Sequence, residues 1–229
     1  MVLFQTWEFW KEPMILSKIE RAQKKPRQTK PVFYLIFEGG KKKNQTEKNF
    51  FAAVSKEQNR VIFKPYSGGT ATDLQSMIGY AKQCVGKIAK EDRLRDRVLV
   101  FFDLDMDPRE RKKRIQLALK NETDLIRFIP SSPCFEIWYL LHFEYTSAYI
   151  RSFEELEPRL KKYIPDYEKS KAYLKKLNGL RTKAVENCRK LFRDADESDH
   201  QACFQKLLDH SGTIVYQIIE QIFDDESCS

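Results

Sequence analysis

A chain of 229 residues with 41 Lys and Arg against 33 Asp and Glu, a formal charge of +8, can bury a sizeable core without staples and favours an anionic partner such as nucleic acid. Its five cysteines, Cys84, Cys134, Cys188, Cys203 and Cys228, show no C-x-x-C spacing and no paired histidines nearby, which argues against a zinc site or a disulfide framework and for a reducing compartment. No apolar run approaches the roughly 18–20 residues that cross a bilayer, and Glu8, Lys11 and Glu12 interrupt the N-terminal aromatics, so a cytoplasmic protein with no membrane partner is expected.

Residues 1–30 lack sustained periodicity but crowd Lys18, Arg21, Lys24, Lys25, Arg27 and Lys30 around Pro26. This basic N-terminal extension either meets phosphates or stays solvated. From Pro31 the pattern changes to a continuous apolar run, Val32–Phe37, that stops at Glu38-Gly39-Gly40, as a strand buried on both faces does. Similar runs follow at Val61–Phe63, Val98–Phe102 and Leu125–Ile129, each separated by enough chain for a helix. Between the second and third, Thr72–Ile88 repeats Leu74, Met77, Ile78, Ala81, Val85 and Ile88 at helical spacing, with Asp73 in the first turn. The alternation predicts an α/β core over 31–150, a mainly parallel sheet with helices on both faces.

In Ser131–Glu144, Ser132 is placed to cap a helix with Pro133 at its first position, and the sequence that follows is apolar nearly all round, so this helix must be buried. Residues 151–229 read as a charged helical region packed on the core, with Leu156, Leu160 and Tyr163 in one helix and Ala184, Cys188 and Leu191 in another. A last helix is predicted from about Ser211-Gly212-Thr213, turning Ile214, Ile218, Ile219 and Ile222 inward.

Ligands of open parallel sheets bind beyond the carboxyl ends of the strands, and two of those ends carry carboxylates. The first delivers Glu38 into a glycine pair. The third delivers Asp103-Leu104-Asp105, whose alternation in an extended chain sends both carboxylates to one side, with Asp107 close behind. Carboxylates gathered without an obvious cationic partner call for a hard cation or a proton, and Mg²⁺, which combines one or two carboxylates with waters and phosphate oxygens, suits a D-x-D at a strand end. Mn²⁺ is the alternative occupant. A solvated loop or a helix cap before Arg109–Lys120 is the bland alternative for the same residues. Glu136, a carboxylate in an apolar helix, needs a metal, a cation or free amides, so a site role and a buried helix-terminus role both stay open. Glu47 either supports the metal shell or favours the first turn of a helix capped by Thr46. His142, Trp138, Phe135 and Phe143 read as structural. Ser67-Gly68-Gly69-Thr70 can cradle a phosphate at a helix N-terminus but lacks a P-loop lysine.

Glu38-Gly39, Thr46-Glu47 with Phe50, Asp103 with Asp105, and S-S-P-C-F-E-I-W-Y-L-L-H-F-E at Ser131–Glu144 together resemble the RloB family over about residues 31–225. Tyr167-Glu168-Lys169 is similar to a family Y-x-K element. The family is similar to Toprim domains of primases, topoisomerases and overcoming-lysogenisation-type nucleases, and is associated with bacterial restriction and phage-defence loci. The resemblance implies a Toprim-like, Rossmann-like core in which Glu38 is general acid or base and Asp103 and Asp105 hold Mg²⁺. Leu104 stands where relatives commonly place a basic residue, Ser132 where Asn is usual, and Lys41-Lys42-Lys43-Asn44-Gln45 enlarges the first loop. Those three lysines beside Glu38 would attract phosphate. The reading is a Mg²⁺-dependent nuclease acting on DNA or RNA. Its alternative is a non-catalytic nucleic-acid-binding or regulatory subunit that serves a partner ATPase or another defence protein.

Overall fold

The computed structural model of the chain describes residues 30–39, 46–66, 73–193, 195 and 199–223. Lys24, Lys25 and Arg27 of the basic extension, Lys41, Lys42 and Lys43 of the first loop, and Ser67-Gly68-Gly69-Thr70 lie outside the described residues.

Among the described residues five strands form one sheet: β1 (Val32–Phe37), β2 (Ile62–Pro65), β3 (Arg97–Asp103), β4 (Ile126–Ser132) and β5 (Gly212–Thr213). Their order is β2-β1-β3-β4-β5, parallel throughout except that β5 runs antiparallel to β4. The central strands β1 and β3 are the near-continuous apolar runs, as burial on both faces requires. Flanking helices are α1 (Thr46–Glu57), α2 (Leu74–Lys87), α3 (Pro108–Asn121), α4 (Glu136–Leu141), α5 (Phe153–Lys161), α6 (Leu174–Leu177), α7 (Arg181–Phe192), α8 (His200–Asp209) and α9 (Val215–Phe223). This is the mixed α/β architecture with C-terminal helices that the alternation predicts.

Caps set several boundaries. Asp73 stands just outside α2 and accepts from the Ser76 amide at 2.9 Å, so the helix begins two residues later than its periodicity predicts. Asp107 caps α3 by accepting from the Arg109 and Glu110 amides at 2.9 and 3.2 Å, with Pro108 in the first turn.

Two boundaries differ from expectation in kind. Ser132 does not cap a helix: it ends β4, is followed by a cis peptide to Pro133, and its hydroxyl accepts from Arg111 Nη1 at 3.1 Å. The strand extends past its apolar run because Ser131 is paired on both sides, with Asp103 of β3 and Thr213 of β5, and helix α4 starts only at Glu136. Likewise Gly212-Thr213 is not the start of the last helix but the fifth strand. A Cβ on Gly212 would collide with a Leu191 methyl, so a side chain here would force Leu191 of α7 to shift.

One core cluster runs from Phe33 to Ile222, which ties the C-terminal helices to the sheet. Phe51 is its hinge near the site, with ring centroids 6.2 Å from Phe37, 4.9 Å from Phe101 and 5.3 Å from Phe50. Burying such a ring contributes about 1.5–3 kcal/mol, enough to hold the start of α1 against the carboxyl ends of β1 and β3. Phe135 and Trp138 are core residues, while Phe143 stacks on Tyr163 at 4.8 Å. Cys84, Cys134, Cys188 and Cys203 are buried. Among the described residues no helix is long and apolar enough to cross a membrane.

Candidate active site

The chain leaves β1 toward β2 on one side and returns to β3 on the other, so the carboxyl ends of β1 and β3 flank a topological switch point, where such sheets leave a crevice. Glu38 follows β1 directly. Gly39 turns the chain away at φ 86°, a left-handed conformation that side chains rarely adopt. Asp103 ends β3, and its amide donates to Glu38 Oε2 at 3.3 Å. Arg114, from α3, joins the two strand ends: Nη2 donates to Glu38 Oε1 at 2.7 Å and Nη1 to the Asp103 carbonyl at 2.9 Å. Its guanidinium also lies over Phe102, 5.5 Å from the ring centroid. Leu104 is fully buried and its amide donates to the Ser131 and Pro133 carbonyls at 2.9 and 2.8 Å. This pins the middle of the D-x-D, with Asp103 half-buried on one side and Asp105 exposed on the other.

A second acidic group meets this one. Glu136, in the first turn of α4, is buried and accepts from the Thr46 hydroxyl at 2.6 Å and the Tyr167 hydroxyl at 2.9 Å. Lys169 Nζ stands 3.5 Å from Glu136 Oε1 and 3.9 Å from the centroid of Phe153. Thr46 therefore spends its hydroxyl on Glu136 as well as opening α1, and Glu47 follows it in the first turn.

The charge balance of the crevice is lopsided. Burial raises the Asp103 carboxyl well above the ordinary range, and the nearby Glu47, Glu136, Glu38 and Asp105 add to it. Burial, then Glu136, pushes Glu47 up to about 7. Burial alone would lower the Lys169 ammonium, but Glu136, Cys134 and Asp103 together raise it instead. Five carboxylates thus act on one region, and Arg114 and Lys169 offset part of that charge.

The structure brings Glu38, Asp103, Asp105, Glu47 and Glu136 into one electrostatic neighbourhood. Asp107 stands apart in role, since its carboxylate serves the α3 cap. The expectation that these carboxylates lack a cationic partner is corrected by Arg114. Within a helix carrying Arg109, Arg111, Lys112 and Lys113, nothing in residue type distinguishes Arg114. Among the described residues no group of three or more His, Cys, Asp and Glu side chains is placed to hold a metal ion. The donors present nonetheless suit Mg²⁺: they are hard oxygens, they repel one another, and this ion takes one or two carboxylates and completes its shell with water and phosphate oxygens.

A protein-family model, that of RloB-like proteins, matches residues 34–222. No curated protein and no solved structure gives a significant match.

Proposed function

The chain belongs to the RloB-like protein family, and we propose that it is a Toprim-type, Mg²⁺-dependent nuclease of bacterial anti-phage defence that hydrolyses phosphodiester bonds in DNA or RNA. One observation carries the reading: Glu38 and Asp103 converge at the switch point, bridged by Arg114, where burial first and neighbouring carboxylates second drive the Asp103 carboxyl upward.

Asp103 and Asp105 would hold the cation, with Glu47 and Glu136 in support; Mn²⁺ has the same ligand preference. When bound, the ion supplies a Lewis acid for a phosphate oxygen. Glu38 handles the proton of the attacking water or the leaving oxygen, and Arg114 fixes which way its carboxylate faces. Thr46 and Tyr167 hold Glu136 in place. Lys41, Lys42 and Lys43 after Glu38, and Lys24, Lys25 and Arg27 of the N-terminal extension, would contact phosphates along the strand. A partner ATPase or other defence protein would supply regulation.

The non-catalytic reading, a nucleic-acid-binding or regulatory subunit, draws on the lack of a ready three-ligand metal nest among the described residues. The two separate in one assay. Wild type, Asp103→Ala and Glu38→Gln are incubated with plasmid, single-stranded DNA and tRNA in Mg²⁺, Mn²⁺ or chelator. Metal-dependent cleavage by wild type alone is expected, with metal affinity by calorimetry lost in Asp103→Ala and only modestly reduced in Glu38→Gln. Cleavage at the wild-type rate by both variants, or by no protein at all, defeats the nuclease reading.

A further inference from the structure

Arg111 sits one helical turn before Arg114 on α3 and is fully buried, an unusual place for a guanidinium. Its Nη1 reaches the Ser132 hydroxyl at 3.1 Å, beside the Ser131–Asp103 pair that ends the central sheet, and its charge is felt by Asp105. Among the described residues its Nε and Nη2 have no hydrogen-bond partner. What faces the guanidinium is an aromatic ring: Tyr149, with its centroid 5.0 Å from Arg111 Cζ.

Tyr149 is 39% exposed, yet its backbone is firmly held. Its neighbour Ile150 is buried and donates its amide to Ser211 Oγ at 2.7 Å, while that hydroxyl donates back to the Ile150 carbonyl at 3.3 Å. Upstream, Thr146 Oγ1 accepts from the Ala148 amide at 3.2 Å. The ring is therefore presented from an anchored segment and backed by a buried cation that reaches Ser132, next to the Ser131 that pairs with Asp103. The exposed Tyr163 differs, because Phe143 stacks on its ring and Glu144 takes its hydroxyl at 2.8 Å.

We infer that Tyr149 is a stacking platform for a nucleobase next to the scissile phosphate, and that the strand entering the site is therefore single-stranded. A base inside a duplex has both faces occupied, whereas an unpaired base can lie on an aromatic ring, with an arginine behind it adding cation–π attraction. Because any base has a π-face, this contact selects strandedness rather than sequence. The inference rests on the nuclease reading for its substrate class.

The test is binding of a short oligonucleotide carrying 2-aminopurine, as single-stranded DNA, single-stranded RNA and a duplex of the same sequence, with chelator present so that nothing is cut. Wild type is compared with Tyr149→Phe, Tyr149→Ala and Tyr149→Leu, the last keeping apolar cover over Arg111. Wild type and Tyr149→Phe are expected to quench the single-stranded probe and bind it within about twofold of each other. Tyr149→Ala and Tyr149→Leu should bind it about 5- to 150-fold more weakly without quenching, the range that base–aromatic stacking gives. Duplex affinity should be the same in all four. If all four bind and quench single strands alike, the platform is wrong and the nuclease reading stands. If the loss is equal on duplex and single strand, the strandedness assignment is overturned. If wild type binds no nucleic acid, both readings fall together.

Discussion

Glu47→Gln gives the sharpest physical test of the acidic crevice, because it removes one negative charge while keeping the side chain's shape. Glu47 titrates at about 7 in the folded chain against an ordinary 4.5, owing to burial first and Glu136 second. A raised folded value means that the native state holds the proton more tightly than the unfolded chain does. The associated stability is fully present below about 4.5 and lost as pH rises through about 7. At about 1.4 kcal/mol per pH unit, ionised Glu47 destabilises the metal-free fold by at most about 3 kcal/mol at pH 8. For a chain of this size that is an upper bound of roughly 6–12 °C in melting temperature. Thermal unfolding in chelator should therefore show Glu47→Gln more stable than wild type at pH 8 and equal to it at pH 4. Added Mg²⁺ should narrow the gap by stabilising wild type more. Superimposable pH profiles for the two proteins would refute the claim that Glu47 shares the crevice's repulsion.

Three further outcomes follow from the same contacts. Arg114→Gln removes a guanidinium from a half-buried pair with Glu38, so cleavage should fall more than about tenfold and stability by about 1–3 kcal/mol, with Arg114→Lys recovering part of the rate; the measurements are single-turnover kinetics and urea unfolding. Burial lowers His142 to about 4, opposed by the hydrogen bond with the Trp138 carbonyl at 2.8 Å and reinforced by Arg181. Its depressed value means that stability is present above 6.5 and lost as pH falls toward 4, by up to about 3 kcal/mol, a slope that His142→Gln should flatten in denaturant titrations. Phe51→Ala should cost about 3–5 kcal/mol by calorimetry, since the ring is fully buried among Phe37, Phe50 and Phe101.

The central strands β1, β3 and β4 were legible because they are largely buried and leave apolar runs between turn residues. Glu38, Asp103 and Asp105 could be found for the same reason: each stands where an apolar run stops. What escaped has equally physical causes. Gly212-Thr213 pairs through only two residues, too few for any period, and its place depends on Ser131 far away in sequence. Ser132-Pro133 has the composition of a helix start, yet the tertiary pairing of Ser131 extends β4 through it. Arg111 and Arg114 of α3 belong to a charged run that reads as a solvated face. Arg111 did leave a trace, because it shares the inward stripe of Ile115 and Ala118 at i, i+4 and i+7. An arginine in phase with buried residues signals a buried cation; Arg114, at the edge of that stripe, gives no such sign.

The fifth strand bears on how the chain is made. Until Gly212 and Thr213 have left the ribosome, β4 has no partner on its outer side, although everything needed for the other four strands emerged some eighty residues earlier. A nascent chain stalled or cut before Gly212 would carry an open strand edge, with Thr213 missing from the Pro130 carbonyl and Ser131 hydroxyl that it joins at 3.1 and 3.0 Å. Such fragments are candidates for edge-to-edge pairing with one another. The α/β half thus depends on its C-terminal helices to deliver the strand that closes its sheet, and expression of residues 31–150 alone is expected to give aggregates rather than an isolated folded core.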